Sequence, residues 1–376
     1  MTAFASTMYG GAHLFHADTP SRLSRVALAA LTTYLPSQDD AERVFGPLAA
    51  DTYARVQARL EQRAADDIRI DLEDGYGLRA LDEQTRDART AAAALATILR
   101  GTDSRRPLRA GVRTRGWSAP EHLRAGLRAF FAELADTDPG GTDIVATLPK
   151  VQTAHEVERF VDEVERCELE IGWPSGRIGL ELLVETAPAL SAQELSRWVR
   201  AARGRLRGLH LGAYDLLGEL GVPHDAASLS HPYCDAMRVQ MRRAVAGQDV
   251  DTVDGVCNEL PVARHRGEGL SVEQRHQNVA GVHDAWRSHA ADVRRGILLG
   301  FFQGWDVHPA QLVSRHFARI GYFQAHFDEA VRRLERFERS ASQARVEGTT
   351  FDDEASVRSV RIFISHARAS GAIDPL

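Results

Sequence analysis

The sequence predicts an α/β fold, a (β/α)8 TIM barrel with a helical C-terminal extension. Short β-like runs alternate with long alanine- and arginine-rich helical patterns, and each strand-plus-helix unit takes roughly 30–40 residues, as parallel strands with crossover helices require. The chain has 376 residues, a length that one large α/β barrel can fill. No GxGxxG follows an early strand, so an open doubly wound sheet is disfavoured.

Eight strands can be placed along the chain. We expect the first in AHLFH (12–16) and the last in GILLGFFQGW (296–305). The six between them are DIRIDLE (67–73), LRAGVR (108–113), DIVATLP (143–149), IGLELLVE (178–185), LRGLHLG (206–212) and VDGVCNEL (253–260). Helical stretches such as DEQTRDARTAAAALATILR separate them. The prediction is therefore a catalytic barrel over 1–311 and a polar helical extension over 312–376 that serves as a cap, a lid or a subunit contact.

Composition excludes several classes of protein. The net charge is -6 and no basic block stands out, which argues against a nucleic-acid partner. No run approaches 18 apolar residues, so no membrane span is expected. The three cysteines form no CxxC, and the N-terminus lacks a basic start followed by an apolar core. These features predict a cytoplasmic protein.

Charged residues lie at the carboxyl end of nearly every predicted strand. The carboxyl ends of barrel strands converge on one mouth, where active sites occur. The second strand ends in Asp71, Glu73 and Asp74, the third in Arg113, the fourth in Lys150, the fifth in Glu185 and the region of the sixth in Asp215. Packing alone would not select this pattern, so the sequence predicts a site at the mouth.

Strand alternation indicates which acids face inward. In IRIDLE the apolar residues share one face, which should meet the helices and turn Asp71 and Glu73 toward the barrel axis. Glu181 and Glu185 likewise share a face of the fifth strand. Several acids in one small lumen need cations, and Arg113, a lysine and a divalent metal would supply them.

Lys150 is the only lysine among the 46 basic residues. By alternation it shares a face with Ile144 and Leu148, and its amine is expected to point inward. Two roles remain open for it. It could be the nucleophile of a metal-independent Schiff-base aldolase. It could instead balance the charge of Glu181 or Asp71 around a metal.

Glu185 and Asp215 are the candidate metal ligands. They end neighbouring strands, whose backbones lie about 4.8 Å apart, so both carboxylates can reach one ion. Two carboxylates, waters and an oxygen-rich substrate make a typical Mg²⁺ site. Ordinary salt bridges at the barrel rim are the alternative explanation.

Six motifs together resemble the HpcH/HpaI aldolase and citrate lyase β-subunit family of magnesium-dependent barrels. They occur in the family's order: IDLEDGYG (70–77), GVRTRGW (111–117), LPKVQTAHEV (148–157), LLVETAPAL (182–190), LHLGAYDLLGELG (209–221) and GFFQGWDVHPAQL (300–312). The resemblance implies metal ligation by Glu185 and Asp215, and substrate binding by Arg113. It places Glu73 and Asp74 beside the metal and its waters, and His308 in the motif closing the eighth strand.

The resemblance also implies a reaction, the making or breaking of a carbon–carbon bond through the enolate of a 2-oxo acid or related carboxylate. Mg²⁺, or Mn²⁺ in its place, would hold the negative charge. The base would be Asp74, a water held by Glu73, or His308. The backbone amides of Gly212 and Ala213 could bind an anionic group of the substrate.

Two further alternatives remain within the resemblance. The chain could be an acyl-CoA lyase of the citrate or malyl-CoA lyase type, although Gln303-Gly304-Trp305 replaces a lysine-bearing segment common in such enzymes. It could also be a non-catalytic subunit of a lyase complex. Family relatives suggest a homo-oligomer, a trimer or hexamer.

Overall fold

Eight parallel strands form a closed barrel in chain order, with β1 pairing β8 to complete the ring. The computed structural model describes residues 4–339, 345–347, 350–352 and 354–374. The barrel strands are β1 (Ser6–Gly11), β2 (Asp67–Asp71), β3 (Arg109–Arg113), β4 (Asp143–Leu148), β5 (Gly179–Val184), β6 (Leu206–Leu211), β7 (Asp251–Asp254) and β8 (Gln303–Asp306). The predicted (β/α)8 barrel with helices at its C-terminal end is thus confirmed.

Helices connect the strands and surround the barrel. They are α1 (Thr19–Tyr34), α2 (Gln38–Phe45), α3 (Thr52–Arg63), α4 (Leu81–Arg100), α5 (Pro120–Glu133), α6 (Ala154–Glu170), α7 (Ala192–Ala201), α8 (Ala213–Glu219), α9 (Pro232–Ala244), α10 (Val272–Leu298), α11 (Gln311–Arg339) and α12 (Glu354–Ala369). Residues Ala12–Leu14 and Ala187–Leu190 form short 3-10 helices, and β9 (Arg345–Glu347) pairs with β10 (Thr350–Asp352) in a hairpin. None of the helices in the described ranges is long and apolar enough to cross a membrane.

Local sequence explains where several helices begin. Thr153 caps α6 through the backbone N–H of Glu156, whose side chain in turn accepts from the Thr153 N–H. Ser271 and Gln274 form the same reciprocal pair at the start of α10. Each such capping box satisfies two N–H groups that a helix terminus otherwise leaves without a partner.

The outer faces of the strands form the main hydrophobic core with the surrounding helices. Ile68 and Ile70 of β2 pack in the same cluster as Ala88, Ala91 and Leu95 of α4. Small alanines let this helix lie close to the sheet, and alternation then leaves the other face of β2 to the lumen. The polar residues of β2 therefore point into the barrel.

The placement of the first strand at 12–16 was wrong. Strand β1 lies at Ser6–Gly11, where Thr7 pairs in register with Asp67, and the 3-10 helix Ala12–Leu14 occupies most of the predicted segment. The strand was missed because Thr7, whose hydroxyl donates to Asp67 in the lumen at 3.2 Å, is polar, as is the buried Ser6 on the opposite face. An apolar pattern cannot reveal a strand whose inward residues face a polar lumen.

Two other strand placements need correction. Strand β7 covers Asp251–Asp254 and not 253–260. The apolar residues at the start of GILLGFFQGW end α10, and β8 begins only at Gln303. Ile297 belongs to the buried face of that 27-residue helix, so its apolar character came from helix packing. Short apolar runs do not by themselves separate a strand from a buried helix end.

Of the C-terminal segment, α11 packs along α10 and α3, whereas α12 lies at the end of the barrel away from the mouth. His366 of α12 stacks on Phe302, which directly precedes β8, with 3.9 Å between the ring centroids. Asp374 pairs with Arg55 of α3 at 2.8 Å. This location suits a cap over the amino ends of the strands. The boundary at 311 and the alternative roles as lid or subunit contact stay predictions.

Candidate active site

The turn after β2 wraps around the carboxylate of Asp71. Its two oxygens accept the backbone N–H of Glu73 at 2.8 Å and of Gly75 at 2.7 Å. A Cβ at position 75 would lie 2.7 Å from Asp71 Oδ2, so this turn requires glycine. The turn places Glu73 and Asp74 over the barrel mouth, and it consumes the hydrogen-bonding capacity of Asp71. Asp71 therefore serves to position its neighbours.

Arg113 of β3 binds the same carboxylate from the position opposite Asp71 in the strand register. Its Nε and Nη2 donate to the two oxygens of Asp71 at 2.7 and 2.5 Å. Its Nη1 lies 3.4 Å from oxygens of both Glu73 and Asp74. The guanidinium fork that we expected to bind substrate is thus held by Asp71. Only the Nη1 edge is directed toward the acidic pair at the mouth.

Lys150 follows β4 and has a positive φ of 54°. Its Nζ lies 2.7 Å from Asp215, 3.5 Å from Glu73 and 3.6 Å from Asp74. This left-handed conformation is uncommon for a residue with a side chain. It ends the strand alternation and turns the lysine toward the mouth.

Two expectations about Lys150 are corrected by this geometry. Alternation had grouped it with Ile144, but that residue packs outward in the main core, and the left-handed turn sets the direction of Lys150 instead. It also makes no ion pair with Glu181 or Asp71 within the described residues. Glu181 is taken by Arg69, which donates to both its oxygens at 2.7 Å.

Glu185 and Asp215 meet beside Lys150. Glu185 follows β5, is 2% exposed, and accepts the backbone N–H of Lys150 at 2.6 Å. Burial, and then the charge of Asp215, raise the pKa of Glu185 to about 7. Asp215 stands in the first turn of α8 and receives the Lys150 ammonium. The structure therefore brings together both carboxylates that the sequence assigned to the metal.

Gly212 and Ala213 connect β6 to α8. A Cβ on Gly212 would lie 2.3 Å from Glu185 Oε2, so the missing side chain makes room for that carboxylate. Ala213 begins α8 and is buried against the barrel. Their predicted contact with substrate stays a prediction, and the structure gives Gly212 a further role in admitting Glu185.

Glu73 and Asp74 have opposite pKa shifts. Burial, and then the neighbouring Asp74, raise the pKa of Glu73 to about 8. Burial opposes ionisation of Asp74 as well, but its interaction with Glu73 and the charges of Arg113 and Lys150 lower its pKa overall. Adjacent carboxyl groups with separated pKa values can hold one proton between them, which suits acid–base chemistry.

The pair of Glu185 and Asp215 suits a divalent cation that keeps several waters. The acidic side chains at the mouth outnumber the basic ones. The acids are Asp71, Glu73, Asp74, Glu185 and Asp215, and the bases are Arg113 and Lys150. In the part of the chain that the structure describes, no group of three or more His, Cys, Asp or Glu could hold a metal ion. A Glu185 and Asp215 site would therefore take its other ligands from water and substrate, as Mg²⁺ commonly does.

Three side chains under the mouth were not predicted as site residues from the sequence, namely Tyr9, His210 and Trp305. The Tyr9 hydroxyl lies 3.1 Å from His210 Nδ1, and its ring packs 4.6 Å from that of Trp305. Arg113 lies over the same tyrosine ring at 5.1 Å. Misplacing the first strand hid Tyr9. His210 could have been found, because it alternates with two leucines in LRGLHLG.

His308 stands apart from the acidic cluster. Its Nδ1 accepts the backbone N–H of Ala310 at 3.2 Å. Its backbone N–H donates to the side-chain oxygen of Gln311, and both contacts lie in the turn that begins α11. Among the described residues it has no hydrogen bond or ion pair to Glu73, Asp74 or Lys150. These contacts give His308 a place in the turn, and its candidacy as a base stays a prediction.

Several solved structures resemble this fold. A citrate lyase from Burkholderia xenovorans LB400 matches with a TM-score of 0.63 and 20% identity, over 99% of this chain and 93% of that one. The protein CitE from Mycobacterium tuberculosis, in complex with magnesium, acetoacetate and coenzyme A, gives a TM-score of 0.53 with 19% identity over 97% and 98% of the two chains. A malate synthase from Haloferax volcanii gives 0.54 with 12% identity over 97% and 90%. At these identities the likeness is one of fold.

Sequence comparison adds one relative and one family. An L-malyl-CoA/beta-methylmalyl-CoA lyase from Haloarcula marismortui is 24% identical over 148 residues, which span 38% of this chain and 42% of that lyase. A family model matches residues 5–375, nearly the whole chain. The chain therefore belongs to the family described as a domain of unknown function, DUF6986.

Proposed function

We propose that this protein is a Mg²⁺-dependent carbon–carbon lyase or aldolase acting on a 2-oxo acid. The observation that carries the proposal is the meeting of Glu185 and Asp215 at Lys150, beside the Glu73–Asp74 pair. Such an excess of carboxylates over cations favours a bound divalent cation. The barrel shared with a citrate lyase and with a magnesium-bound CitE supports the same class of chemistry.

Glu185 and Asp215 would hold the metal. When bound, Mg²⁺, or Mn²⁺ in its place, would supply a Lewis acid that stabilises the oxyanion of a pyruvate-type enolate. Arg113 contributes a fixed positive charge next to the acidic pair, kept in place by its two bonds to Asp71. A preorganised charge of this kind costs no reorganisation when negative charge develops on the substrate.

The acidic pair would move the proton. Cleavage of an aldol requires a base that takes the proton of its hydroxyl group. Asp74 is about half exposed and has a lowered pKa, so it is ionised and accessible at neutral pH. Glu73, whose pKa is raised to about 8, retains a proton under the same conditions. We assign Asp74 as the base and Glu73 as the group that returns a proton.

A Schiff-base mechanism through Lys150 is less consistent with this geometry. Burial lowers the pKa of Lys150, but the charges of Glu185, Asp215 and Glu73 outweigh it and raise that pKa above the ordinary lysine range. A nucleophilic lysine needs the neutral amine. The ion pairs of Lys150 hold it in the charged form.

An acyl-CoA lyase is the second candidate function. It is favoured by the partial match to the malyl-CoA lyase of Haloarcula marismortui. Gln303, which stands in the segment where a lysine was expected, is buried and donates to Thr7 in the lumen at 2.7 Å. It therefore cannot reach a thioester at the mouth. Binding of coenzyme A would have to rely on other residues.

Purified protein assayed with defined substrates tests these alternatives. The assay pairs pyruvate with varied aldehydes, and in parallel offers acyl-CoA thioesters, with Mg²⁺, with Mn²⁺ and with EDTA. We expect metal-dependent turnover by this chain alone, which would also exclude a purely non-catalytic subunit. Borohydride trapping of pyruvate on Lys150, together with activity that survives EDTA, would overturn the metal mechanism.

Removing either metal carboxylate should abolish the metal-dependent activity. We expect Glu185→Gln and Asp215→Asn to lose Mg²⁺ binding in calorimetry while circular dichroism and thermal unfolding stay close to wild type. Asp225→Asn, at an exposed acid outside the cluster, is the matched control and should bind Mg²⁺ normally. Unchanged Mg²⁺ affinity in both cluster variants would refute the ligand assignment.

A further inference from the structure

A cavity lies at the end of the barrel opposite the candidate active site. We call it the basal cavity. Its volume is about 400 Å³, and its wall includes Arg242 of α9, Phe302 and Gln303 at the start of β8, and Arg358 and His366 of α12. This volume falls in the range of small-molecule sites. The C-terminal helix and the barrel thus share one concave surface.

The two arginines on this wall form no ion pair among the described residues, although the charge of Asp251 acts on Arg242. Arg242 donates one long hydrogen bond, from Nη1 to Thr252 Oγ1 at 3.4 Å. Within the described ranges, neither Arg242 nor Arg358 has a carboxylate oxygen within 4.0 Å. Asp251 also faces the cavity, but it is already paired with Arg109 at 2.9 Å. Exposed Asp249 is the other acid on the wall.

A third arginine lies behind the wall, with its guanidinium carbon 5.7 Å from the ring centroid of Phe323. Arg319 of α11 is 1% exposed, and its Nε, Nη1 and Nη2 have no hydrogen-bond partner in the described structure. The buried Nδ1 of His366 has none either. Burial, then the charges of Arg319 and Arg242, lower the pKa of His366 to about 3. His366 therefore lies close to two positive charges, that of Arg242 on the cavity wall and that of Arg319 behind it.

Such an arrangement is costly for the protein alone. A buried guanidinium presents five N–H donors, and burying a charge without partners is strongly unfavourable. An anion in the basal cavity would lower this cost because it could accept hydrogen bonds from Arg242 and Arg358 on the wall. Its negative charge would also attract the Arg319 guanidinium, which lies behind the wall near His366. Guanidinium groups recognise phosphate and carboxylate oxygens through two parallel hydrogen bonds.

We propose that the basal cavity binds a small polyanion, a phosphate ester or a polycarboxylate, with Arg242 and Arg358 as its direct donors. Because these two residues belong to α9 and α12, the bound anion joins the C-terminal helix to the barrel. A ligand that binds only the folded state raises its stability. The basal cavity is then a regulatory or stabilising site, distinct from the acidic mouth and independent of the proposed lyase activity.

Calorimetry with two probes at constant ionic strength tests the proposal. Pyrophosphate and citrate are titrated separately into protein that has been freed of metal and dialysed into chelator-free buffer, which distinguishes the phosphate from the carboxylate source. We expect saturable binding of at least one probe, one per chain, and a matching rise in the thermal unfolding temperature. Arg242→Gln and Arg358→Gln should each weaken that binding roughly tenfold or more, because each removes charge-assisted hydrogen bonds.

Two controls separate a built site from other sources of binding. Arg243→Gln changes the next residue of the same helix, which is exposed and lies outside the cavity, and it should leave probe affinity unchanged. Asp215→Asn should also retain probe binding, even though it removes a predicted metal ligand. No saturable binding by either probe, or equal weakening by Arg242→Gln and Arg243→Gln, would overturn the proposal.

Discussion

At the scale of single residues, Lys150 connects the two halves of the candidate site. Its backbone N–H binds Glu185 and its ammonium binds Asp215, so one residue contacts both predicted metal ligands. The left-handed backbone at this position makes both contacts possible at once. Side chains rarely adopt this conformation, and strain of this kind persists only where surrounding contacts hold it. Here the contacts that hold it are those of the predicted active site.

Lys150→Arg should reduce activity despite preserving the charge. A planar guanidinium needs room for five donors, whereas the compact ammonium fits among Asp215, Glu73 and Asp74. We expect a fall in kcat/KM on the order of ten- to hundredfold, the equivalent of one lost charged hydrogen bond. Steady-state kinetics with the substrate found in the screen measure this change.

The chain offers no second lysine for a matched exchange, so Arg89→Lys on an exposed position of α4 serves as the surface control. It should leave kcat/KM unchanged. If Lys150→Arg were as active as the wild type, the lone lysine would have no special role in the site.

At the scale of elements, close approach between strands depends on glycine. Gly111 of β3 stands opposite Val145 of β4, and a Cβ at position 111 would lie 1.9 Å from the Val145 carbonyl oxygen. These two strands place Arg113 and Lys150 at the mouth. Their spacing therefore affects both the stability of the barrel and the geometry of the candidate site.

Gly111→Ala should destabilise the protein by roughly 3 kcal/mol, the upper end of the usual cost of overpacking, because backbone and not a flexible side chain must move. Chemical unfolding at neutral pH measures the free energy. Gly10→Ala in β1 is the matched control, since a Cβ there meets nothing within 4 Å. A loss below about 0.5 kcal/mol for Gly111→Ala would show that the strands can separate freely.

At the scale of the whole molecule, His316 links barrel stability to pH. It is fully buried in α11, its Nε2 donates to Ala64 O at 2.9 Å, and its Nδ1 has no partner among the described residues. Burial, and then the charge of Arg59, lower its pKa to about 3, although the charge of the nearby Asp66 acts to raise it. The folded protein therefore keeps this histidine neutral where an unfolded chain would protonate it.

The pH dependence follows from this difference. Below the ordinary histidine pKa of 6.5 the unfolded chain binds a proton that the folded protein does not, so this stabilisation is complete above pH 6.5 and is lost as the pH falls toward 3. We expect His316 to account for a loss of about 1.6 kcal/mol of unfolding free energy between pH 6.5 and 5. Urea unfolding at the two pH values provides the measurement.

His316→Gln retains a donor for Ala64 and should remove that share of the pH dependence. His276→Gln, at an exposed position of α10, should leave it unchanged. An identical pH dependence in wild type and His316→Gln would contradict the assignment to this residue.

Other properties of the whole molecule remain predictions. The trimer or hexamer and the cytoplasmic location were inferred from family resemblance and composition. That no nucleic acid binds is likewise a prediction, made from the net charge of -6. The described position of α12 at the base of the barrel leaves the mouth to the loops that follow the strands.

The sequence by itself determined the barrel and the residues gathered at its mouth. Helix and strand periodicity are properties of a few neighbouring residues, so alternation in β2 was enough to direct Asp71 inward. Parallel strands in one barrel then bring their carboxyl ends together, which placed Arg113, Lys150 and Glu185 at one site without any knowledge of side-chain contacts.

Only the tertiary structure decided which charged residues pair and where the backbone departs from strand alternation. Glu181 pairs with Arg69, so the expected partnership with Lys150 does not form, and the fork of Arg113 is taken by Asp71. These pairings depend on strand register and on one left-handed turn, which bring together residues far apart in the chain. The basal cavity has the same origin, since Arg242, Arg319 and His366 approach one another only after α9, α11 and α12 have packed on the barrel.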